Sequence, residues 1–409
     1  TSPGRSMKTH KEDPPLKRMK WAALALALLL LAGCAGPAAA EPTPTPTPVP
    51  TPTPTPAPPP PTTATLAVCG DVMSHMPVTN DAWEEEQGVY DYRPIWAQAE
   101  PYIQAADYAV ANLETTLSET GPYSGFPAFR SPAALAGSLA GAGFDLMLTA
   151  NNHCLDRGFD GLVSTLDALD GAGLAHVGTY RTQEEQAAGR IHLADVGGIS
   201  VAFLGYTYGT NGIPVPSGRE YAVDLFNTDY MTTLSTPDTG RVEADLAAAR
   251  ALEPDLIAVL IHWGVEYQTT QNSYQEQIAD LLIENGADLV LGGHPHVPQP
   301  IEMRTVTAED GSERTGFVCW SLGNFISSQV DPLTDVTAVL TVELTRDNIT
   351  GETAVTGWEY VPMLMVRRNG TERVFTLTDA STVPADTSAD LAAELEELRA
   401  RAGEGNSHE

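Results

Sequence analysis

At 409 residues with 42% hydrophobic side chains, the chain holds enough apolar material for one large or two medium domains, which excludes a wholly disordered protein. Its formal charge of −31, from 53 acidic against 22 basic side chains, excludes a surface that attracts nucleic acid or anionic lipid headgroups by charge. Six of the basic residues fall within positions 1–34, so the remainder is more acidic still, which suits an extracellular setting or serves solubility.

The predicted elements begin with Lys17, Arg18 and Lys20 ahead of an eleven-residue apolar run over 21–31. Translation is expected to start at Met7 or Met19. A basic flank with a run this short fits a secretory signal better than a membrane span. Leu31-Ala32-Gly33-Cys34 resembles a bacterial lipobox, which predicts lipidation at Cys34 and a tether on the outer face of the cytoplasmic membrane. An uncleaved anchor, or a cut near 38–40, is the alternative, and every version predicts export. Residues 1–34 are thus read as the signal and 35–62 as a Pro/Thr-rich disordered linker. The Thr-Pro repeat over 41–62 is expected to be an extended spacer that could reach roughly 70 Å at about 3.1 Å per residue.

Residues 63–380 are expected to fold as a single domain. Strand-like runs at 65–69, 107–111, 144–149, 256–261 and 289–291 each end in a polar loop. Helical patterns at 161–172, 240–252 and 273–285 alternate with them, and 190–195 with 199–205 reads as a hairpin. A strand is predicted at 316–320. Alternation at 336–345, 353–362 and 372–378 predicts antiparallel strands of a second sheet, and an acidic helix is expected at 386–403, inside the segment 381–409. This order predicts an α/β layered sandwich. Of the four cysteines, Cys69 and Cys319 lie in apolar runs and are expected to be buried thiols rather than a disulfide framework.

Five strand ends deliver Asp71 with His75, then Glu114, then Asn152 with His153, then His262, then His294 with His296. Carboxylate, imidazole and amide oxygen together make a ligand set for Zn, Mn or Fe, with one carboxylate free to bridge two ions. Two divalent ions about 4 Å apart activate water and clamp a phosphoryl-type oxygen, and a remaining imidazole serves as general acid. Each piece has a plainer reading. Asp71, Glu114 and Asn152-His153 could be turn or cap residues, Glu114 could pair with an arginine, and His262 could be a satisfied core histidine. Gly293-His294-Pro295-His296 is the most specific piece, because two imidazoles one residue apart on a Gly-rich loop can point into one cavity.

Six ordered motifs carry a resemblance. They are Gly70-Asp71-Val72-Met73, Asn112-Leu113-Glu114, Asn151-Asn152-His153 with Asp156 and Gly158, His262-Trp263-Gly264-Val265-Glu266-Tyr267, Gly293-His294-Pro295-His296 and Ser321-Leu322-Gly323-Asn324-Phe325. Over residues 64–330 the chain resembles the CapA/PgsA family of capsule or poly-γ-glutamate synthesis proteins, relatives of the calcineurin-like metallophosphoesterases. The resemblance implies a four-layer α/β/β/α sandwich of metallophosphatase type with a two-metal centre between its sheets. It implies Asp71, His262, His294 and His296 as metal ligands, Glu114 as the bridging carboxylate, Asn152 as the amide ligand and His153 as the catalytic histidine. The chain departs from the superfamily's Asp-x-His first motif, because His75 stands four positions after Asp71. Glu114 also replaces an Asp, and both departures leave the second metal position open.

The function this implies is capsule or poly-γ-glutamate formation, export, anchoring or trimming by a metal-dependent hydrolase-like site. The expected partners are an anionic polymer such as poly-γ-glutamate or a phosphoester, the membrane through the lipid anchor, and a membrane synthase complex, with no nucleic acid. A non-enzymatic polymer-binding or assembly subunit and a general extracellular metallophosphoesterase are the alternatives. Arg130 and Arg157 are the substrate-binding candidates and, like Arg219, are expected in loops near the presumed site; the competing reading makes them solubilising groups or partners of the many carboxylates. The loops 115–131 and 206–224, with Tyr123, Phe126, Phe129, Tyr206 and Tyr208, are expected to shape the cleft.

Overall fold

The computed structural model describes residues 57–308, 311–367 and 374–382. The expected signal, Cys34, residues 35–56 of the linker and the helix at 386–403 lie outside the described residues. No described helix is long and apolar enough to cross a membrane.

The chain first lays down β1 (Thr62–Val72), β2 (Tyr108–Leu113), helix α1 (Ala134–Ala142), β3 (Leu146–Leu148), helix α2 (Gly158–Ala172) and β4 (Ala175–Val177). These four strands pair in parallel in that order. A second sheet then opens with the hairpin β5 (His192–Val196) and β6 (Ile199–Thr207). It continues through helix α3 (Thr239–Arg250), β7 (Leu256–His262), helix α4 (Ser273–Glu284), β8 (Leu289–Gly293), β9 (Ile301–Thr307) and β10 (Glu313–Cys319). Its order is β9-β10-β8-β7-β6-β5. The chain then returns to the first sheet with β11 (Asn324–Ile326), β12 (Val336–Arg346), β13 (Thr353–Arg367) and β14 (Phe375–Asp379), giving the order β14-β13-β12-β1-β2-β3-β4 with β11 beside the end of β1.

Period-2 alternation sorts the strands into layers. Leu66, Val68, Val110 and Leu148 of the first sheet meet Val201, Phe203, Ala258 and Leu260 of the second in one core. The opposite faces carry Ala67, Cys69, Ala111 and Met147 against Leu139 of α1 and Leu166 of α2, and Leu204, Ile257 and Val259 against Leu246 of α3 and Leu282 of α4. The result is helix, sheet, sheet, helix, the four-layer sandwich expected. Cys69, Cys154 and Cys319 are free and buried.

Several details differ from the sequence reading, which had no helix at Ala134–Ala142 or Gln183–Gly189. The three C-terminal strands do not form a separate sheet but extend the first one, with β12 antiparallel to β1. The reason is two-sided burial: Val339 of β12 packs on the helix side while Leu340 and Val342 pack on the sheet side, and only a central position covers both. Strand β9 was not anticipated at all; its alternating, half-exposed residues sit at a sheet edge.

Candidate metal centre

The same alternation aims the functional side chains. In β7, Leu256, Ala258 and Leu260 face the other sheet, so His262 does too. In β2, Tyr108 and Val110 face that way, and Asn112 and Glu114 continue the face at the strand's end. Strict alternation would send Asp71 outward with Ala67 and Cys69. Instead the register with β2 shifts between Val68 and Asp71, and that irregularity turns the carboxylate inward. Gly70 permits it, since any side chain there would collide with the carbonyl oxygen of Gly323. His294 and His296 enter from the loop after β8 with φ of 99° and 60°, a left-handed backbone that costs energy for a non-glycine residue.

These strand ends converge at the carboxyl edge of both sheets, where open α/β sheets carry ligands. Glu114, His294 and His296 form one group with ligand atoms within 4.8 Å of one another, and Asp71, Glu114 and His262 form another. Glu114 belongs to both. Its Oε1 lies 3.5 Å from His262 Nε2 and 3.8 Å from His296 Nε2. Asn152 Oδ1 is 3.1 Å from His262 Nε2, which places the amide oxygen at the same centre. Asp71 Oδ2 accepts from the backbone N–H of His294 at 3.0 Å and lies 3.3 Å from His296 Nδ1.

The residues fit a cation. Asp71, Glu114 and His262 are fully buried, and Glu114 Oε1, His294 Nδ1 and His296 Nδ1 have no hydrogen-bond partner. Burial works against charge on His296, yet Glu114 and Asp71 outweigh it and push the imidazole up to about 9. Burial likewise works against Asp71, but His296 and His262 hold its carboxyl below the usual range. With only protein groups present, a proton on His296 supplies the positive charge that two buried carboxylates require. His294 is held well below its ordinary value by burial and by the neighbouring histidines, which leaves a lone pair for a ligand bond.

His153 sits apart from both groups. Its Nδ1 lies 2.7 Å from Asp156 Oδ2, an oxygen that also accepts from the backbone N–H of Phe129 at 2.6 Å. Burial lowers the imidazole, and the charges of Asp156 and Glu114 overcome that and raise it. His153 Nε2 faces Asn211 Nδ2 at 3.5 Å. His75, expected as a metal ligand, joins neither group. Its Nδ1 lies 3.4 Å from both Ser327 Oγ and the Ser328 N–H, and burial depresses it to about 4. The rings of His75 and His153 both meet the buried Phe129 edge-on, with centroids 5.0 Å and 4.7 Å away.

Several functional neighbours were missed from sequence. Asn112 donates from Nδ2 to Asp71 Oδ1 at 2.8 Å and lies 3.1 Å from His262 Nδ1, so it sets two ligands at once. Its signal was available: an amide on the inward face of a fully buried strand needs a polar partner. Asn151, which donates to the Leu113 carbonyl at 2.8 Å and accepts from the His153 N–H at 3.1 Å, fixes the loop that carries Asn152. Tyr208 of the expected cleft loop stacks on His262 and lies tilted against His294, while Tyr206 instead donates to Asp245 at 2.9 Å. Arg130 and Arg157 line one cleft with Ser118 and Thr116, beside Phe129.

Two face-to-face sheets with a shared carboxylate, an amide and three histidines at their common edge define a metallophosphatase-type sandwich. The sequence profile of the bacterial capsule synthesis protein PGA_cap matches residues 65–329, and the chain belongs to that family. It is 27% identical over 297 residues to the capsule biosynthesis protein CapA of Bacillus anthracis, covering 69% of this chain and 64% of that one. It is 28% identical over 265 residues to the PGA biosynthesis protein CapA of Bacillus subtilis, covering 64% of each. The chain thus spans about 64% of the length of either relative. The solved structure of the calcineurin-like phosphoesterase YfkN of Bacillus subtilis aligns with a TM-score of 0.40 at 13% identity over 83% of this chain and 97% of that one, a likeness too distant to carry weight.

Proposed function

We propose that the protein acts at the bacterial cell surface in capsule or poly-γ-glutamate formation, through a metal-dependent centre that hydrolyses a bond in an anionic polymer or a phosphoester. The observation that carries this reading is Glu114 Oε1, a fully buried carboxylate oxygen without a hydrogen-bond partner, shared by two groups of ligands. Such an oxygen is costly to bury unless a cation sits beside it. Asp71, Glu114, Asn152, His262, His294 and His296 would hold two divalent ions of the Mn, Zn or Fe class. Bound there, they would supply a Lewis acid and an activated water.

The chain's own groups do the rest. His153, held at Nδ1 by Asp156, presents Nε2 to protonate a leaving group. Phe129 packs against its ring and keeps water from that side. Tyr208 closes the opposite wall over His262 and His294. The names of the two relatives, both capsule or PGA biosynthesis proteins, support the polymer context. The basic flank, apolar run and Cys34 support export with a lipid tether on the outer face of the cytoplasmic membrane, where a synthase partner would be met.

The test is metal content of the purified full chain, with Asp71→Ala and His296→Ala alongside, followed by hydrolysis assays on phosphoesters and γ-glutamyl polymers. About two tightly held ions, reduced in both variants, support the hydrolase. No retained metal after supplying Mn or Zn overturns it and puts the non-enzymatic polymer-binding or assembly subunit first.

A further inference from the structure

Lysine is absent from the described residues, so arginine supplies every long-chain cation there. Of the twelve described arginines, eight lie within ion-pair distance of a described carboxylate, from Arg93 on Glu100 to Arg346 on Asp255. The four that do not are Arg130, Arg157, Arg219 and Arg367. In a chain this acidic, guanidinium groups without a described carboxylate partner are the exception.

Arg130 and Arg157 line a cleft of about 350 Å³. Their hydrogen bonds go to neutral acceptors: Arg130 to Ser118 Oγ at 3.0 Å, Arg157 to the Ala128 carbonyl at 2.6 Å and to Ser124 Oγ. Asp160 lines the same cleft beyond ion-pair distance. Phe129, between Ala128 and Arg130, is the ring that touches both His75 and His153. Arg219 stacks its Cζ 3.7 Å over Phe159, two residues past Arg157, and its loop brings Asn211 to His153. Arg367 donates to the Ser328 carbonyl at 2.8 Å and lies over Phe375, while the Ser328 N–H reaches toward His75. Asp335 feels the Arg367 charge without pairing to it.

We propose that these four guanidinium groups form a track for a linear polycarboxylate along the mouth of the metal centre. Three separate stations of positive charge, each without a described carboxylate at ion-pair distance, suit a flexible chain with single charges at intervals, whereas a compact phosphate ester would need converging cations at one point. A planar guanidinium matches one carboxylate bidentately. The excess negative charge elsewhere repels such a chain and steers it to the rim where, among the described residues, cations lack a carboxylate partner. The assignment rests on the reading of the centre as the reacting site, since the track is placed relative to His153.

The test is binding of fluorescent oligoglutamate to the purified full chain at low and raised salt, with metal content measured in parallel. Wild type is expected to bind the oligomer far more tightly than free glutamate, with salt weakening it. The double variant Arg130→Gln/Arg157→Gln is expected to bind about tenfold more weakly at unchanged metal content. Because Arg157 also pins the loop at Ala128, Arg219→Gln and Arg367→Gln, each expected to lose several-fold, decide the matter if the double variant does not fold. Arg93→Gln, which frees Glu100 instead, should bind as wild type. Equal binding by all variants, or an equal loss in Arg93→Gln, overturns the track. Preference for polyphosphate over oligoglutamate overturns the polycarboxylate. A chain that holds no metal yet binds oligoglutamate through these arginines supports the track and overturns the hydrolase reading.

Discussion

Gly293 and Asp71 meet across the two sheets so closely that a β-carbon on Gly293 would lie 2.5 Å from Asp71 Oδ1. Asp71 cannot retreat freely, because Asn112 Nδ2 and the His294 N–H hold its two oxygens. Gly293→Ala is therefore expected to displace the carboxylate and to weaken metal retention, at a stability cost of about 1–3 kcal/mol from overpacking. Elemental analysis and urea unfolding of the variant check the two effects separately. Full metal retention in Gly293→Ala would remove Asp71 from the ligand set.

That contact also marks how far sequence reading reaches. The strand ends were legible because each buried run stops at a polar loop, and period-2 alternation alone aims His262 and Glu114. Asp71 was found by its motif, but its inward aim was not legible: the alternation points it outward, and only the shift in register between Val68 and Asp71 corrects that. His75 shows where spacing alone stops short. Its position near Asp71 suggested a ligand, yet the chain turns into the short helix Met76–Asp81, and the imidazole goes to Ser327 and Ser328 instead. Asp156 stands in a motif without a role until the fold shows that it holds both His153 and Phe129. Arg367 could not be placed from sequence, because β13 reaches the site only through the first sheet's extension.

Glu114 is common to both ligand groups, so its loss should abolish metal-linked stabilisation rather than halve it. Binding to the folded state alone adds about 2.7 kcal/mol at a metal concentration 100 times Kd. Wild type is expected to show a clear rise in Tm on titration with Mn or Zn, and Glu114→Gln little or none. Calorimetry with and without chelator measures this. A Glu114→Gln protein that gains as much as wild type contradicts the shared-carboxylate geometry.

His294 and His296 hold left-handed φ values of 99° and 60° on the loop that delivers both imidazoles. For an L-residue this conformation costs roughly 1–2 kcal/mol, and glycine avoids most of it. In metal-free protein, His296→Gly should therefore unfold at higher denaturant than His296→Ala, by about 1 kcal/mol, although both lose the same ligand. The reverse order would mean that the loop relaxes out of the left-handed region once the imidazole is gone.

His75 gives the fold a pH dependence on the acid side. Burial, with the His296 charge added, lowers it from the model-peptide value of 6.5 to about 4. The unfolded chain then binds more protons than the folded one between those values, so stability is fully present above pH 6.5 and falls as pH drops toward 4. His75→Asn keeps an acceptor for the Ser328 N–H but cannot titrate. Its metal-free stability is expected to fall less steeply across that window than wild type. Parallel profiles for the two proteins would show that other groups carry the acid lability.

Asp156 accepts from two donors on one oxygen, and the two have different consequences. The Phe129 N–H bond, 2.6 Å, holds the aromatic wall. The His153 contact, 2.7 Å, holds the ring through its Nδ1–H and stabilises the imidazolium, whose Nε2–H is the proton a general acid donates. Asn at this position preserves an acceptor for Phe129 while removing the negative charge. Asp156→Asn is therefore expected to fold and to keep its metal, yet to lose about 10²-fold or more in kcat on any substrate the centre cleaves, which is the usual scale for general acid–base assistance. His153→Ala should lose at least as much, and the double variant little more than His153→Ala alone, because Asp156 acts through the imidazole. A substrate with an already good leaving group, such as a nitrophenyl ester, should show a smaller loss, since it needs no proton. Equal losses on good and poor leaving groups would assign His153 to holding the substrate oxygen instead of donating the proton.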